Sequence, residues 1–192
     1  ICRVHGWRFD GPRDPLFESG MRNALAFLAE HGARATFFTI AQDVRDPVKC
    51  ALLREAVAQG HEIGSHSVTH RRLSRLSTAE KRAETRDSRA LLEQTLGVPV
   101  AGFRAPGFDT DREVLALVEE AGYVYDSSLF PGPRDGALVG GSALACGPQV
   151  VGPAGRLLEL PMPAHAPLPA PFHPSYSLVL GNWYFALGLA RA

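Results

Sequence analysis

The sequence predicts an α/β fold in which helices cover a parallel sheet or barrel. Short apolar segments near residues 35, 61, 100, 123 and 158 alternate with segments whose apolar residues recur every three to four positions. This alternation has roughly the spacing of βαβ units and favours parallel strands joined by helical crossovers. The length of 192 residues and the hydrophobic content of 45% are ordinary for one globular domain.

Residues 17–40 predict a helix followed by a buried strand. Apolar side chains recur at helical steps over residues 17–31, and Gly32 follows as a stop signal. Residues 35–40 read ATFFTI, an aromatic and β-branched run that is typical of a buried strand.

A second helix and strand are predicted in the same order. Asp46 and Pro47 are an N-cap and a first-turn proline for a helix that runs to about Gln59. Gly60 ends this helix, and the strand-like run HEIG follows at residues 61–64.

Two capping boxes predict the starts of the next two helices. Ser77 and Glu80 fit the first box, which opens a long charged helix that ends at Gly97. Thr110 and Glu113 fit the second box, which opens an apolar helix. In each box the two side chains accept from backbone N–H groups that the helix leaves unpaired.

The last predicted elements are less regular. The fourth helix ends at Gly122, and a strand is predicted at residues 123–125. From Pro131 onward prolines and glycines crowd the sequence, which predicts a loop-dominated lid or connection. The charges at residues 80–93 are interpreted as a solvated helix face.

Charge, cysteine content and hydropathy exclude several classes of partner. The 20 lysines and arginines balance the 20 aspartates and glutamates, so we expect no nucleic-acid partner. Cys2, Cys50 and Cys146 have no CxxC spacing, and we expect buried free thiols. The apolar residues 176–190 are interrupted and too few for a confident membrane span. The compartment, cytoplasm or cell envelope, is left open.

The sharpest chemical signal is HEIGSHSVTH at residues 61–70. His66 and His70 follow a predicted strand, and imidazoles four residues apart can meet at one metal ion. Asp10 also follows a strand-like run and is the candidate third ligand. Three protein ligands leave a position for water, as in a hydrolytic metal site. The alternative for the histidine pair is a coincidental spacing.

A second candidate segment reads FRAPGF at residues 103–108, again at a predicted strand end. Arg104, held there by the rigid turn that follows, is suited to orient a carboxylate or bind an anionic group. The alternative is a surface arginine before a turn.

Together these segments resemble the polysaccharide deacetylase family, also called the NodB homology domain or carbohydrate esterase family four. FDGP at residues 9–12 looks like its first motif, ATFF at residues 35–38 like its second strand, and residues 60–70 like its second motif. FRAPG at residues 103–107 and YDSS at residues 125–128 look like its third motif and fourth region. The resemblance implies a distorted (β/α) barrel of the NodB and glycoside hydrolase-deacetylase type.

The resemblance also implies a metal-dependent hydrolase of non-peptide carbon–nitrogen bonds. Its substrate is an acetyl or formyl amide on an amino sugar, in a polysaccharide or a lipid-linked glycan. A divalent metal, expected to be zinc, polarises the acyl carbonyl and activates water. Asp10, His66 and His70 are the implied metal ligands, and Asp10 and Arg104 the implied catalytic residues.

Pro106 and Gly107 are the implied substrate-binding residues. Gly107 occupies a position where many members of the family carry a tyrosine whose backbone amide faces the oxyanion. A backbone donor survives the change to glycine.

The first motif departs from the family pattern, which has two aspartates. In one register Asp10 is the metal ligand and Phe9 replaces the base. In the other register Asp10 is the base and Pro12 replaces the ligand.

The end of the chain departs as well, because the family's L-x-H motif does not follow LELP at residues 158–161. We expect residues 1–192 to be a single deacetylase-like domain that is truncated at the C-terminus and lacks its last strands. Whether it is also truncated at the N-terminus is left open. His165 and His173 are interpreted as loop or packing residues.

Three functions remain open at this point. The first is the metal-dependent deacetylase. The second is a degenerate or fragmentary homologue that binds metal or glycan without turnover. The third is a relative that hydrolyses another carbon–nitrogen bond, such as that of a ureide ring.

Overall fold

The structure is a computed structural model. It describes residues 14–141, 144–165, 170, 171, 183 and 186. The helices are α1 (Pro15–Glu30), α2 (Pro47–Ala58), α3 (Thr78–Leu96), α4 (Arg112–Glu120) and α5 (Pro133–Gly136). The strands are β1 (Thr36–Thr39), β2 (Glu62–Ser65), β3 (Gly102–Phe103), β4 (Tyr125–Asp126), β5 (Gln149–Val151), β6 (Leu157–Glu159), β7 (Ala164–His165) and β8 (Ala170–Pro171). Short 3-10 helices lie at Ala41–Arg45, Leu73–Arg75, Pro106–Phe108 and Ala137–Val139.

Six strands form one sheet in the order β1-β2-β3-β4-β6-β5. β2, β3, β4 and β6 pair in parallel, whereas β5 runs antiparallel to β6. α3 connects β2 to β3 and α4 connects β3 to β4, so the predicted helical crossovers are confirmed. The carboxyl ends of the four parallel strands therefore lie along one edge of the sheet, where α/β folds gather ligands.

The chain divides into two compact units. The first consists of Ile1–Phe37 and Asp43–Ile63, and the second of Phe38–Gln42 and Gly64–Ala192. In the first unit α1 packs against α2, and the buried apolar side chains include Met21, Leu25, Leu52, Leu53 and Ile63. In the second unit α3 packs against α4, and the buried side chains include Val100, Phe103, Val114, Leu129 and Leu157.

The predicted starts of α2 and α3 are confirmed. The Asp46 carboxylate accepts from two N–H groups in the first turn of α2, at 2.8 and 3.1 Å, with Pro47 beside it. Ser77 and Glu80 form the capping box of α3, and the Glu80 carboxylate accepts from the Ser77 N–H at 3.0 Å. Gly97 ends α3 in the left-handed conformation, with φ of 70°.

The second predicted capping box is wrong. Asp111 rather than Thr110 caps α4, and its carboxylate accepts from the Val114 N–H at 2.8 Å. The Glu113 carboxylate instead pairs with the buried ammonium of Lys81 at 2.6 Å. A buried cation needs its counter-charge more than the helix start needs a second acceptor.

The strand predicted at residues 123–125 begins later in the structure, as β4 at Tyr125–Asp126. Tyr123 is buried against α3, where its hydroxyl donates to the Thr85 carbonyl at 2.9 Å. The ring of Tyr125 covers Gly102 of β3, where a Cβ would lie 2.1 Å from the ring. In the proline- and glycine-rich stretch, β6 confirms the strand predicted near residue 158, but its hairpin partner β5 was not predicted.

The interpretation of residues 80–93 as a solvated face is wrong for one side of α3. Lys81, Glu84, Thr85 and Ser88 are buried. They follow one another at helical spacing and each has polar partners, such as Ser65 for the hydroxyl of Ser88 at 2.8 Å. Charge count alone does not distinguish a solvated side chain from a paired, buried one.

The cysteine expectation is confirmed for Cys50, which is buried and free. Cys146 is exposed, contrary to expectation, because it lies in the turn before β5, and Cys2 lies outside the described residues. Within the described ranges, no helix has both the length and the apolar character needed to cross a bilayer. Residues 176–190 lie outside those ranges apart from positions 183 and 186.

Candidate active site

The two histidines predicted as metal ligands lie together in the loop that follows β2. The ring centroids of His66 and His70 are 4.9 Å apart, with ring planes at 64°. Ser67 and His70 have positive φ angles of 64° and 62°, so the loop turns sharply. The buried Ser67 hydroxyl accepts from the His70 N–H at 3.0 Å. This turn brings the two imidazoles onto one side of the loop.

Glu84 of α3 anchors the same loop. One carboxylate oxygen accepts from the N–H groups of Val68 and Thr69 at 2.8 and 2.9 Å, and the other accepts from the Thr69 hydroxyl. Glu84 is 6% exposed, so these charge-assisted hydrogen bonds are shielded from water. No motif in the sequence singles out Glu84, although its spacing of about one helical turn from Lys81 and from Ser88 places the three residues on one face of α3.

His66 is held as a neutral imidazole. Its Nδ1 donates to the Arg104 carbonyl at 2.7 Å, which leaves the lone pair of Nε2 available to a metal ion. Burial is the main cause that lowers the pKa of His66 to about 4, and the positive charges of His70 and Arg104 lower it as well. The hydrogen bond to the Arg104 carbonyl raises the pKa but does not outweigh burial. Neutral imidazole is the form that binds metal.

Arg104 lies at the end of β3 and is half-buried, which excludes a simple surface arginine. Its Nε donates to the Ser127 carbonyl at 2.8 Å, and Nη2 donates to the Ser127 hydroxyl at 2.7 Å. The guanidinium carbon lies 4.1 Å from the centroid of the Phe38 ring. The side chain is thus clamped on two sides at the carboxyl edge of the sheet.

Two buried carboxyls lie beside this clamp. Asp126 on β4 and Glu159 on β6 are directly paired in the parallel ladder and are 1% and 0% exposed. The Asp126 oxygens accept from the Ser128 hydroxyl at 2.8 Å and from the Ser128 N–H at 3.1 Å. Glu159 Oε1 accepts from the Leu129 N–H at 3.0 Å.

Burial raises the pKa of both Asp126 and Glu159. For Glu159 the negative charge of Asp126 and the hydrogen bond between the two side chains raise the pKa further. Sequence analysis did not single out Glu159, because an isolated glutamate in LLEL gives no sign of its partner on another strand.

Pro106 and Gly107, the residues predicted to bind substrate, lie in the 3-10 helix that follows Arg104. Gly107 has a φ of 63°, and no described atom lies within 4 Å of the place of a Cβ. A cavity of about 360 Å³ opens beside Gly107 and is also lined by Phe108 and Phe130. This 3-10 helix therefore borders open space, which Arg72 also lines.

Asp10 lies outside the described residues, as do Phe9 and Pro12, so the two registers of the first motif stay predictions. His173 and the side chain of His165 lie outside them as well. No three His, Cys, Asp or Glu side chains converge on a metal position among residues that the structure describes. The histidine pair supplies two ligand positions, and Asp10 remains the candidate for a third.

Comparison with known proteins places these features in a family. Residues 9–125 match the sequence profile described as polysaccharide deacetylase. A chitooligosaccharide deacetylase from Rhizobium leguminosarum bv. phaseoli is 33% identical over 159 residues, which are 75% of this chain and 66% of that protein.

Solved structures show the same fold. The chain resembles a protein described as a candidate polysaccharide deacetylase from Mycobacterium smegmatis, with a TM-score of 0.64 and 22% identity, over 88% of this chain and 60% of that one. It also resembles a family 4 acetyl xylan esterase from Clostridium thermocellum in complex with a cobalt ion, with a TM-score of 0.51 and 27% identity, over 63% of this chain and 55% of that one. The chain thus spans less than two thirds of the length of these proteins.

Proposed function

Because the chain belongs to the polysaccharide deacetylase family, we propose that it hydrolyses an acetyl or formyl amide on an amino sugar with the help of a divalent metal ion. The observation that carries this proposal is the pair of imidazoles at the end of β2, one of which is locked as a neutral ligand by the Arg104 carbonyl. The reaction adds water across the carbon–nitrogen bond and releases a carboxylate and an amine.

The residues present fit a divalent ion. His66 presents Nε2, His70 lies beside it, and Asp10 is proposed as the third ligand. Once bound, such an ion supplies Lewis-acid polarisation of the acyl carbonyl and of a water molecule. The Clostridium thermocellum esterase was solved with cobalt, which supports a divalent metal, and we propose zinc because imidazole and carboxylate ligands suit it.

We propose that Arg104 and Gly107 orient the catalytic carboxylate and bind the reacting acyl group. Arg104 donates two hydrogen bonds to Ser127, and its remaining N–H groups are suited to bind a carboxylate. In the register where Asp10 is the base, we propose that Arg104 orients it. The backbone N–H of Gly107 is proposed as a donor to the oxyanion that forms at the acyl carbon.

For the substrate we propose an amino-sugar oligomer or polymer. The rhizobial relative is named a chitooligosaccharide deacetylase, which supports this class, and a lipid-linked amino sugar is the alternative. We further propose that residues 1–192 act as one deacetylase-like domain.

Zinc titration of the metal-free protein, followed by acetate release from N-acetylglucosamine oligomers, tests the proposal. We expect one-to-one binding and acetate release, both abolished by His66→Ala with His70→Ala. His31, an exposed histidine at the end of α1, provides the control, and His31→Ala should retain both. Absence of specific zinc binding would contradict the metal site.

The Asp10→Asn variant separates the two roles of Asp10. Loss of zinc affinity identifies a ligand, whereas retained zinc affinity with lost turnover identifies a base. Zinc binding by the unmodified chain without acetate release would favour the second candidate, a non-catalytic binding protein. That candidate is supported by the single aspartate within residues 9–12.

A further inference from the structure

The carboxyl pair Asp126 and Glu159 has no part in the proposed reaction, yet it lies at the functional edge of the sheet. The two residues end the neighbouring parallel strands β4 and β6, and both are almost fully buried. Two carboxylates buried side by side repel one another, so one of them must hold a proton.

The hydrogen bonds distinguish the two carboxyls as candidates for the proton. Asp126 accepts on both oxygens, from the hydroxyl and the N–H of Ser128. Glu159 accepts on Oε1 from the Leu129 N–H at 3.0 Å. Its Oε2 is buried and meets no donor among the described residues. A proton on Oε2 would satisfy this atom and give Asp126 a further hydrogen bond, so the contacts favour Glu159 as the neutral acid and Asp126 as the anion.

The pair shapes the segment that clamps Arg104. Residues 127–129 run past the two carboxyls and are tied to them through Ser128 and Leu129. Ser127, which directly precedes these ties, provides both acceptors for the guanidinium of Arg104. The position of the guanidinium therefore depends on two carboxyls that Arg104 does not directly bind among the described contacts.

A second contact joins the same segments. The Ser128 hydroxyl, which donates to Asp126, also accepts from the Ala105 N–H at 2.8 Å. The backbone carbonyl just before Ala105 is the one that locks the ring of His66. Changes at the carboxyl pair thus reach both the guanidinium of Arg104 and the ring of the proposed metal ligand.

We propose that Glu159 is a positioning residue that works as a neutral acid, donating a hydrogen bond to Asp126 and thereby holding residues 127–129 in the shape that orients Arg104. Its effect on turnover rests on the proposed function, whereas its effect on stability and on Arg104 does not. Among the described residues, Asp126 and Arg104 are the charged groups that face Glu159.

The proposal predicts the sign of a pH effect. In the unfolded chain Glu159 is ionised above its ordinary pKa, and in the folded chain the pKa is raised by burial and by Asp126. Its contribution to stability is therefore fully present below the unfolded pKa and is lost as pH rises toward the folded pKa. Glutamine at this position donates a similar hydrogen bond and does not titrate.

The test compares Glu159→Gln and Glu159→Ala with the unmodified chain by urea unfolding at pH 5 and pH 8. We expect the Gln variant to have the higher midpoint at pH 8, with the difference shrinking toward pH 5. The Ala variant, which removes the hydrogen bond that Glu159 is proposed to donate to Asp126, should have a lower midpoint at both pH values. In acetate release, Gln should retain kcat and KM, and Ala should lose kcat about tenfold with little change in KM.

A direct signal reports the position of Arg104. The Nε–H resonance in a ¹H–¹⁵N spectrum, assigned by its disappearance in Arg104→Lys, should be sharp in the unmodified chain and in the Gln variant. It should broaden or shift in the Ala variant, because the Ser127 acceptors move. This signal needs neither substrate nor metal.

Glu119 provides a matched control because it is buried but works as an anion. It is 6% exposed, and its carboxylate accepts from three backbone N–H groups at 2.7 to 3.3 Å, which lower its pKa despite burial. Glu119→Gln should lower the urea midpoint at pH 8 without moving the Arg104 signal.

Two results would overturn the proposal. One is a Gln variant that is less stable than the unmodified chain at pH 8, which would make Glu159 an anion. The other is an unchanged Arg104 signal in the Ala variant, which would make Glu159 a packing residue only. If the unmodified chain releases no acetate, the proposed function fails, but the unfolding and Arg104 measurements still decide the role of Glu159.

Discussion

The residue that most directly links geometry to chemistry is His66. The Arg104 carbonyl accepts from Nδ1 at 2.7 Å, and this contact sets both the tautomer and the rotation of the ring. Burial and the neighbouring cations then disfavour the imidazolium form. The ring is thus held as a neutral imidazole, the form that the proposed metal site requires.

This preparation predicts acid sensitivity of the metal-free protein. In the unfolded chain His66 takes up a proton below about pH 6.5, whereas in the folded chain its pKa is lowered to about 4. Its contribution to stability is present above the unfolded pKa and is lost as pH falls through the folded pKa, by at most about 3 kcal/mol. Urea unfolding between pH 7 and pH 4 measures this loss.

His66→Asn is the matching variant, because its amide can donate to the Arg104 carbonyl and does not titrate. Its stability should fall less between pH 6.5 and pH 4 than that of the unmodified chain. Parallel curves for the two proteins would show that His66 does not fold as a neutral ring.

At the scale of elements, α3 holds both the histidine loop after β2 and the start of α4. Glu84 ties the histidine loop to the helix, and Lys81 pairs with Asp111 and Glu113 of the α4 start. These buried polar residues lie on one face of α3, between the loop after β2 and the helix after β3. A helix that reads as highly charged therefore carries a polar interior face.

Glu84→Gln should weaken the tie between α3 and the histidine loop. The amide nitrogen cannot accept, so at least one donor of residues 68–69 loses its partner, at a cost of about 1–3 kcal/mol. A looser loop should lower zinc affinity about tenfold or more. Urea unfolding and zinc titration measure the two effects.

Asp87→Asn is the comparison on the exposed side of the same helix, where Asp87 pairs with the neighbouring Arg86. It should leave zinc affinity unchanged. Equal losses of affinity in the two variants would show that α3 acts through overall stability and not through the histidine loop.

At the scale of the whole molecule, the parallel strands bring the residues of the candidate site to one edge of the sheet. The ends of β2, β3, β4 and β6 supply in turn the histidine pair, Arg104, Asp126 and Glu159. A ligand held by the histidine pair would therefore be coupled, through Arg104 and Ser127, to segments that are distant along the chain.

Zinc should accordingly raise the melting temperature of the metal-free protein. At 100 times its Kd a ligand adds about 2.7 kcal/mol, which for a chain of this size corresponds to roughly 5–10 °C. Chelation should reverse the shift, and His66→Ala with His70→Ala should abolish it. A shift that persists in the double variant would place zinc binding elsewhere.

Local signals were sufficient for much of the fold. The Asp46 cap, the Ser77 capping box and the αL glycine at Gly97 act within a few residues, so the sequence alone determined where α2 and α3 begin and end. The same holds for the α/β class, which follows from the alternation of elements, and for the placing of His66 and His70 after a strand.

Only the tertiary structure decided which polar residues are buried and what they serve. Glu84 meets its loop partners 15 and 16 positions away, and Glu159 meets Leu129 over a separation of 30. Propensities and caps depend on near neighbours, whereas burial and the pairing of buried polar groups depend on residues that the fold brings together. For this reason the sequence identified the proposed metal ligands, and the fold alone identified Glu84, which holds the histidine loop, and Glu159, which is proposed to position Arg104.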